Sequence, residues 1–189
     1  MSFDWREFEE KVETCPKCRL SETRKNAVPG SGDYDADIMF IGEAPGSQED
    51  EEGEPFVGRA GGVLDDLFAS IGIKRNQVYI TNILKCRPPE NRDPRKDEME
   101  ACTPYLDKQV KVVNPKVIAT LGNFATKYIM NNYGLDAKSI GKVHGEVFTV
   151  NNLVLSARIV PQYHPAATMY NPNMEDTLKE DFKVLKRFL

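Results

Sequence analysis

Ile38-Met39-Phe40-Ile41-Gly42-Glu43 is the stretch that decides the fold, because a run of β-forming residues ends there in a glycine and a carboxylate. Two later runs also end in a polar residue, Val78-Tyr79-Ile80-Thr81-Asn82 and Ile159-Val160-Pro161-Gln162-Tyr163-His164. If all three are parallel strands, Glu43, Asn82 and His164 meet at the carboxyl edge of one sheet, where open α/β sheets bind ligands. The sequence therefore predicts a small reaction site that contains a carboxylate, an amide and an imidazole.

Helical and strand-like segments alternate along the chain. This alternation predicts a three-layer α/β/α sandwich with a mostly parallel central sheet, and residues 1–189 are expected to form a single domain. Helices are expected at 4–13, with Asp4 as N-cap, and at 61–71, 97–112, 123–132 and 173–188. A further buried strand is expected at 116–122, a hairpin at 146–155, and the end of the last strand at His164.

Composition places the chain among globular proteins, with 40% hydrophobic and 29% charged residues. No apolar run is long enough to span a bilayer, and the polar start of the chain lacks the apolar core of a secretory signal. We therefore expect a cytoplasmic monomer with no membrane partner. The net charge of −4 argues against a general affinity for nucleic acid.

One segment is basic in spite of this net charge. Residues 85–96 hold five bases against two acids and follow Asn82 directly. On charge alone a solvated, salt-bridged loop is the simpler interpretation. Phosphate contact becomes the better one because the run borders the predicted site. The candidate phosphate ligands are Lys85, Arg87, Arg92 and Arg95.

The four cysteines form one close pair, Cys15 and Cys18, and a distant pair, Cys86 and Cys102, that flanks a proline-rich loop. Disulfides are not expected in a cytosolic chain. A structural zinc site, an iron–sulfur cluster and free buried thiols all remain open, because zinc and iron–sulfur clusters both accept four thiolates. A metal site here would tie the N-terminal helix to the loop after Asn82.

Two glycine-rich turns complete the predicted site. Gly42-Glu43-Ala44-Pro45-Gly46 lets a ligand approach the main chain, where the amides of Glu43 and Ala44 can face inward. Phe56-Val57-Gly58-Arg59-Ala60-Gly61 opens a helix whose N-terminus favours an anion. The first turn is not a P-loop, since no Gly-Lys-Ser/Thr follows it.

Together these motifs resemble those of the iron–sulfur uracil-DNA glycosylases, called family 4. The resemblance rests on the two glycine-rich turns, on Thr81-Asn82 with Lys85-Cys86-Arg87-Pro88-Pro89, and on His164-Pro165-Ala166-Ala167, in matching order and spacing. It covers the chain from Cys15 to the final helix. It implies a uracil-DNA glycosylase-like fold, excision of uracil from DNA, and a 4Fe-4S cluster of structural rather than redox role on Cys15, Cys18, Cys86 and Cys102.

Three side chains have the chemistry to hold uracil. Phe56 offers an aromatic face for stacking, worth about 1–3 kcal/mol per base, and its neighbours favour an exposed turn over core packing. The Asn82 amide matches uracil, because its NH₂ donates to O4 and its oxygen accepts from N3–H, although a structural cap is an equal alternative. His164 can donate toward O2, where negative charge gathers as the glycosidic bond breaks; the alternative is an ordinary surface or core histidine.

Glu43 is expected to position water or to stabilise the cationic sugar. The sequence carries Ala44 where the better-known uracil-DNA glycosylases have a catalytic Asp, so Asn91 is a second candidate for activating water. By resemblance, Glu49 is expected to exclude the methyl group of thymine. Met169 or Tyr170 is expected to wedge into the space that a flipped base leaves, with local packing as the alternative.

The favoured prediction is a monofunctional glycosylase acting on uracil-containing DNA, because no lysine stands where a Schiff-base nucleophile would be expected. A sliding clamp is an open candidate partner. Two other classes remain: a non-catalytic iron–sulfur module for DNA binding or electron transfer, and a zinc-stapled nucleotide hydrolase.

Overall fold

The computed structural model describes residues 2–189, which form a six-stranded sheet with helices on both faces. The strands are β1 (Ser31–Gly32), β2 (Ile38–Gly42), β3 (Tyr79–Asn82), β4 (Val117–Leu121), β5 (Phe148–Asn151) and β6 (Ser156–Gln162). The helices are α1 (Trp5–Glu13), α2 (Ser47–Glu52), α3 (Arg59–Ile71), α4 (Lys96–Val113), α5 (Asn123–Asn132), α6 (Ile140–Val143), α7 (Ala167–Tyr170) and α8 (Met174–Lys183).

The sheet has the order β1-β3-β2-β4-β6-β5. Its four inner strands are parallel, while β1 and β5 pair antiparallel at the two edges. Successive strands are added on opposite sides of β2, which makes the carboxyl ends of β2 and β4 the switch point where such sheets place ligands. The predicted three-layer sandwich with a mostly parallel sheet is confirmed.

The inner strands are buried on both faces, apart from the start of β6, as expected of a parallel sheet that helices cover on both sides. On β2, Ile38 and Phe40 join the core under α3 and α8, while Met39 and Ile41 join the core under α4 and α5. A third, smaller cluster lies under α1 and joins Phe8 and Val12 to the segment around Cys86 and to Cys102. This cluster fixes the N-terminal helix beside the carboxyl edge of the sheet.

Several elements depart from the predicted bounds. The acid-rich segment after the first glycine turn, for which no helix was predicted, forms α2. The last helix ends at Lys183 and continues as a 3-10 turn, Val184–Phe188. Strand β6 ends at Gln162, so His164 follows the strand instead of ending it. The predicted N-cap of α1 is confirmed, since Asp4 accepts a hydrogen bond from the Glu7 amide at 3.0 Å.

Among the described residues, no helix combines the length and the apolar character needed to cross a lipid bilayer.

The core under α3 provides a test of the packing. Leu64 is fully buried between α3 and the sheet, whereas Leu153 at the tip of the β5–β6 hairpin is fully exposed. We expect Leu64→Ala to lower the free energy of unfolding by about 2–5 kcal/mol, because it leaves a cavity. Leu153→Ala is the matched control and should change it by less than about 0.5 kcal/mol. Urea unfolding followed by circular dichroism measures both, and equal effects would contradict the packing described here.

Candidate active site

A cleft of about 830 Å³ opens at the carboxyl edge of the sheet. Glu43 follows β2, Asn82 ends β3 and His164 follows β6, and all three side chains line this cleft. The structure thus brings together the three residues that the strand pattern placed at one edge. Phe56, Asn91 and Glu49, from the intervening loops and α2, line the same cleft.

Asn82 stands at the base of the cleft with only 2% of its surface exposed. Its Oδ1 atom is buried and has no hydrogen-bond partner among residues 2–189. The register of β2 and β3 places Gly42 opposite Asn82, and a Cβ on Gly42 would overlap both Oδ1 and the Phe56 ring. Because buried acceptors are nearly always satisfied, an orphaned amide oxygen in a cleft indicates a place for a ligand donor.

Phe56 is held in an unusual backbone conformation, with a φ of 53°. The Arg75 guanidinium fixes this turn by donating to the carbonyl oxygens of Pro55 (3.0 Å) and Phe56. The Phe56 ring is 5% exposed and belongs to the core under α3, so the expectation of an exposed turn is wrong. The ring still lines the cleft and stacks on the His164 imidazole, at 5.6 Å between centroids and 28° between planes.

The His164 ring is fixed by the main chain of the loop it opens. Its Nδ1 atom accepts a hydrogen bond from the Ala166 amide at 3.1 Å, which leaves the proton of a neutral ring on Nε2. Burial lowers the pKa of His164 to about 4, and the nearby Glu49 opposes this shift only in part. At neutral pH His164 is therefore an uncharged ring with one N–H to donate.

Glu43 carries the most perturbed carboxyl of the cleft. Burial, helped by repulsion from Asp93, raises the pKa of Glu43 to about 7. A carboxyl with this pKa can take up or release a proton near neutral pH, as an acid–base or charge-stabilising group needs to do.

Glu49 has a structural task that its sequence position did not indicate. Its carboxylate accepts hydrogen bonds from the amides of Gly46 (3.1 Å), Val57 (3.1 Å) and Gly58 (3.0 Å). These amides belong to the two glycine-rich turns, so one buried carboxylate fastens both walls of the cleft to each other. Glu49 also lines the cleft, where the resemblance predicts exclusion of thymine.

The basic run divides into exposed and structural residues. Arg95 is exposed; Arg87 donates to Asn91 Oδ1 at 2.8 Å and orients that amide at the rim. Arg92 lies at the cleft but pairs with the fully buried Glu98 through two hydrogen bonds of 2.6 and 3.0 Å. This ion pair lowers the pKa of Glu98, which also accepts from the Arg95 amide at 2.9 Å.

Lys85 does not belong to this surface. It is 1% exposed, and its ammonium is hydrogen-bonded inside the protein. The expectation that Lys85 contacts phosphate is therefore wrong. Burial lowers the pKa of Lys85 to about 7, yet its three neighbours all present acceptors, which only the protonated ammonium satisfies in full.

Several residues of the cleft were not singled out from the sequence. Arg59, the first residue of α3, is exposed at the rim, and Phe124 and Tyr163 form part of the wall. Asn123, which also lines the cleft, is the polar residue that follows β4, so the rule that located Asn82 applies to it as well. Met169 and Tyr170, the predicted wedge, are exposed at the rim in α7.

All four cysteines line a second, smaller cavity beneath α1. The Cys86 sulfur accepts from the Arg24 guanidinium and the Cys102 sulfur from the Lys85 amide, both at 3.3 Å. Burial raises the pKa of Cys86, and that of Cys102 to about 11. Within residues 2–189 no three His, Cys, Asp or Glu side chains are grouped so as to hold a metal ion.

Comparison with known proteins assigns the family. The pattern of the Uracil DNA glycosylase superfamily matches residues 29–187. Type-4 uracil-DNA glycosylases of Sulfurisphaera tokodaii and Saccharolobus solfataricus are 50% and 49% identical, each over 95% of this chain and over 82% and 84% of their own lengths. That of Archaeoglobus fulgidus is 46% identical over 91% of this chain and 86% of its own. The chain therefore belongs to the uracil DNA glycosylase superfamily and, as its motifs predicted, to the type-4 uracil-DNA glycosylases.

Proposed function

We propose that the protein hydrolyses the N-glycosidic bond of deoxyuridine in DNA, releasing uracil and leaving an abasic site in an uncut strand. The observation that carries this proposal is the buried, unpaired amide oxygen of Asn82, in a cleft that also holds an aromatic ring and a neutral imidazole. A base in a duplex cannot reach such a cleft, so the nucleotide must rotate out of the stack.

Recognition of uracil is assigned to Asn82 and Phe56. The Asn82 oxygen gains the partner it lacks by accepting from uracil N3–H, while its NH₂ donates to O4. Cytosine offers an acceptor at N3 and a donor at position 4, which mismatches the same amide orientation. Phe56 supplies an apolar ring against which uracil packs at the bottom of the cleft.

Bond cleavage is assigned to His164 and Glu43. As the bond from C1′ to N1 breaks, its electron pair moves onto uracil, and the Nε2–H of His164 stabilises the charge that gathers on O2. The sugar left behind is cationic and takes up the oxygen of a water molecule; the proton that this water loses balances the charge of the uracil anion, which leaves as neutral uracil. An ionised Glu43 stabilises that cation and orients the water; Asn91, held by Arg87, is the second candidate for orienting it.

Binding of the DNA strand is assigned to the rim of the cleft. Arg59 at the rim, and Arg87 and Arg95 in the adjoining basic loop, are the candidates for phosphate contact, while Arg92 is limited by its pairing to Glu98. Met169 and Tyr170, both exposed at the same rim, are placed to fill the gap that the flipped nucleotide leaves.

The cysteine quartet is proposed to hold a 4Fe-4S cluster. The donor set fits, because four thiols line one cavity and two N–H groups point at buried sulfurs, as iron–sulfur clusters favour. A single zinc ion accepts the same four thiolates, and metal analysis distinguishes the two. The cluster would link the segment that follows α1 to the loop after Asn82. No step of the reaction runs through it.

Uracil excision is the first expected result. A uracil-containing strand incubated with the protein and then treated with alkali should break at the uracil position, whereas the untreated strand should stay intact. His164→Ala and Asn82→Ala should each lower the single-turnover rate by about 10²–10³-fold, the usual effect of removing one donor aimed at developing charge. Asn131→Ala, at an exposed position of α5 outside the cleft, is the matched control. An uncleaved strand at high enzyme excess would end the proposal.

The protonation state of Glu43 predicts a pH dependence. Because the pKa of Glu43 is about 7 and the ionised form is the active one, excision should weaken as the pH falls below that value. Glu43→Gln should be slow at every pH and lose this acidic limb. His164, whose pKa is about 4, adds no limb near neutrality. A wild-type rate that is flat between about pH 5 and pH 9 would contradict the role of Glu43.

Metal analysis decides the cofactor. Anaerobically purified protein should be brown and contain about four iron and four sulfide per chain, and Cys86→Ser should lose most of both. Colourless protein with one zinc per chain would replace the cluster by a zinc site without affecting the assignment of uracil excision.

A further inference from the structure

Lys85 is a buried cation that the reaction does not use, and its surroundings are unusually specific. Its Nζ atom donates to Thr81 Oγ1 at 2.6 Å, to the Asn82 carbonyl oxygen at 2.7 Å and to Gln109 Oε1 at 2.6 Å. An ammonium has three N–H groups, so these three bonds saturate it. They also join strand β3 to helix α4 through one side chain.

The acceptors around Lys85 are themselves held in place. Gln109 donates to the carbonyl oxygen of Pro29 at 2.8 Å and to the Tyr79 hydroxyl at 2.9 Å. Thr81 donates to the same Pro29 oxygen at 2.8 Å. Thr81, Gln109 and Tyr79 are all buried, so no water competes with these bonds and the network has one arrangement.

The same residue contacts the two functional regions through different atoms. Its main-chain amide donates to the Cys102 sulfur, and its side chain holds the carbonyl of Asn82. Between these two points the chain stays attached to the Glu43 turn, since Ile83 and Leu84 donate to the carbonyl oxygens of Gly42 and Glu43, both at 3.0 Å. The turn of residues 82–85 is therefore fixed on three sides.

Stability alone does not account for a lysine here. Replacing a buried ionic group by an apolar residue of similar size is often neutral or stabilising, because the charge no longer has to be desolvated. What an apolar side chain cannot provide is three directed bonds, two to strand β3 and one to helix α4. The benefit that remains is the geometry of the turn that carries Asn82.

We propose that Lys85 is a positioning residue: its ammonium fixes the main chain of Asn82 from within the core and so sets the place of the amide that reads uracil. This inference rests on the proposed function, because it assigns Lys85 a role through Asn82. Lys85 itself touches neither base nor sugar. Its ammonium supports the Asn82 main chain from inside the protein, and its own main-chain amide donates to the Cys102 sulfur.

A double-mutant cycle tests this role. Lys85→Met keeps the length of the side chain and removes its three hydrogen bonds. The resulting displacement of Asn82 should lower the single-turnover excision rate by about 10- to 100-fold. Affinity for the DNA strand and the visible absorbance of the metal centre should stay unchanged. In the Asn82→Ala background the same Lys85→Met change should cost less than about twofold, because the group that it positions is already absent.

Two further variants keep the test decisive. Gln109→Leu removes one acceptor and leaves the ammonium in place, so it should lower the excision rate by a smaller factor. This loss should again disappear in the Asn82→Ala background. If Lys85→Met does not fold, the Gln109→Leu result decides the test. Thr126→Val breaks a buried hydrogen bond of 2.8 Å to Thr120. Neither threonine lines the cleft or bonds to Lys85, so this change should leave the rate per folded molecule within about twofold.

The outcomes separate this inference from the proposed function. If wild-type protein does not release uracil, the proposed function fails. The positioning role is overturned if wild-type protein releases uracil and Lys85→Met is as fast. It is also overturned if Lys85→Met lowers the excision rate by the same factor in the wild-type and Asn82→Ala backgrounds. A loss that depends on Asn82 supports it, because a general loss of stability would act equally in both backgrounds.

Discussion

The pairing of β2 with β3 is the constraint on which the site depends. It sets Gly42 opposite Asn82, and the absence of a side chain on Gly42 leaves room for the Asn82 amide beside the Phe56 ring. Hydrogen bonds from Ile83 and Leu84 carry the ladder beyond the strands and keep the two following turns together. One strand pair therefore positions the carboxylate, the amide and the aromatic ring of the cleft relative to each other.

Irregular segments around the cleft are each organised by one buried charged side chain. Glu49 gathers amides from the two glycine-rich turns, Glu98 anchors the proline-rich loop through Arg92, and Lys85 supports the turn after β3. Each of these groups has at least three hydrogen bonds, which offsets the cost of taking a charge out of water. Loops without regular structure thus acquire defined positions at the edge of a regular sheet.

The sequence predicted the sheet and the meeting of Glu43, Asn82 and His164, because β-forming runs and their ends are local features and parallel strands share one carboxyl edge. It did not predict the burial of Lys85 or the task of Glu49. Lysine and glutamate are nearly always exposed, and their partners here lie on other elements, such as Gln109 on α4. The proline and glycine residues near Phe56 predicted an exposed turn. They gave no sign of Arg75, which follows α3 in the chain and donates a hydrogen bond to the Phe56 carbonyl oxygen.

The central place of β2 has a consequence for biosynthesis. Both of its neighbours, β3 and β4, come later in the chain, and β4 itself needs β6 on its other side. A growing polypeptide that stops short of β4 therefore presents an apolar segment with an unpaired edge, which is able to associate with another unfinished copy. The parallel sheet can therefore be completed only after β6 has been synthesised.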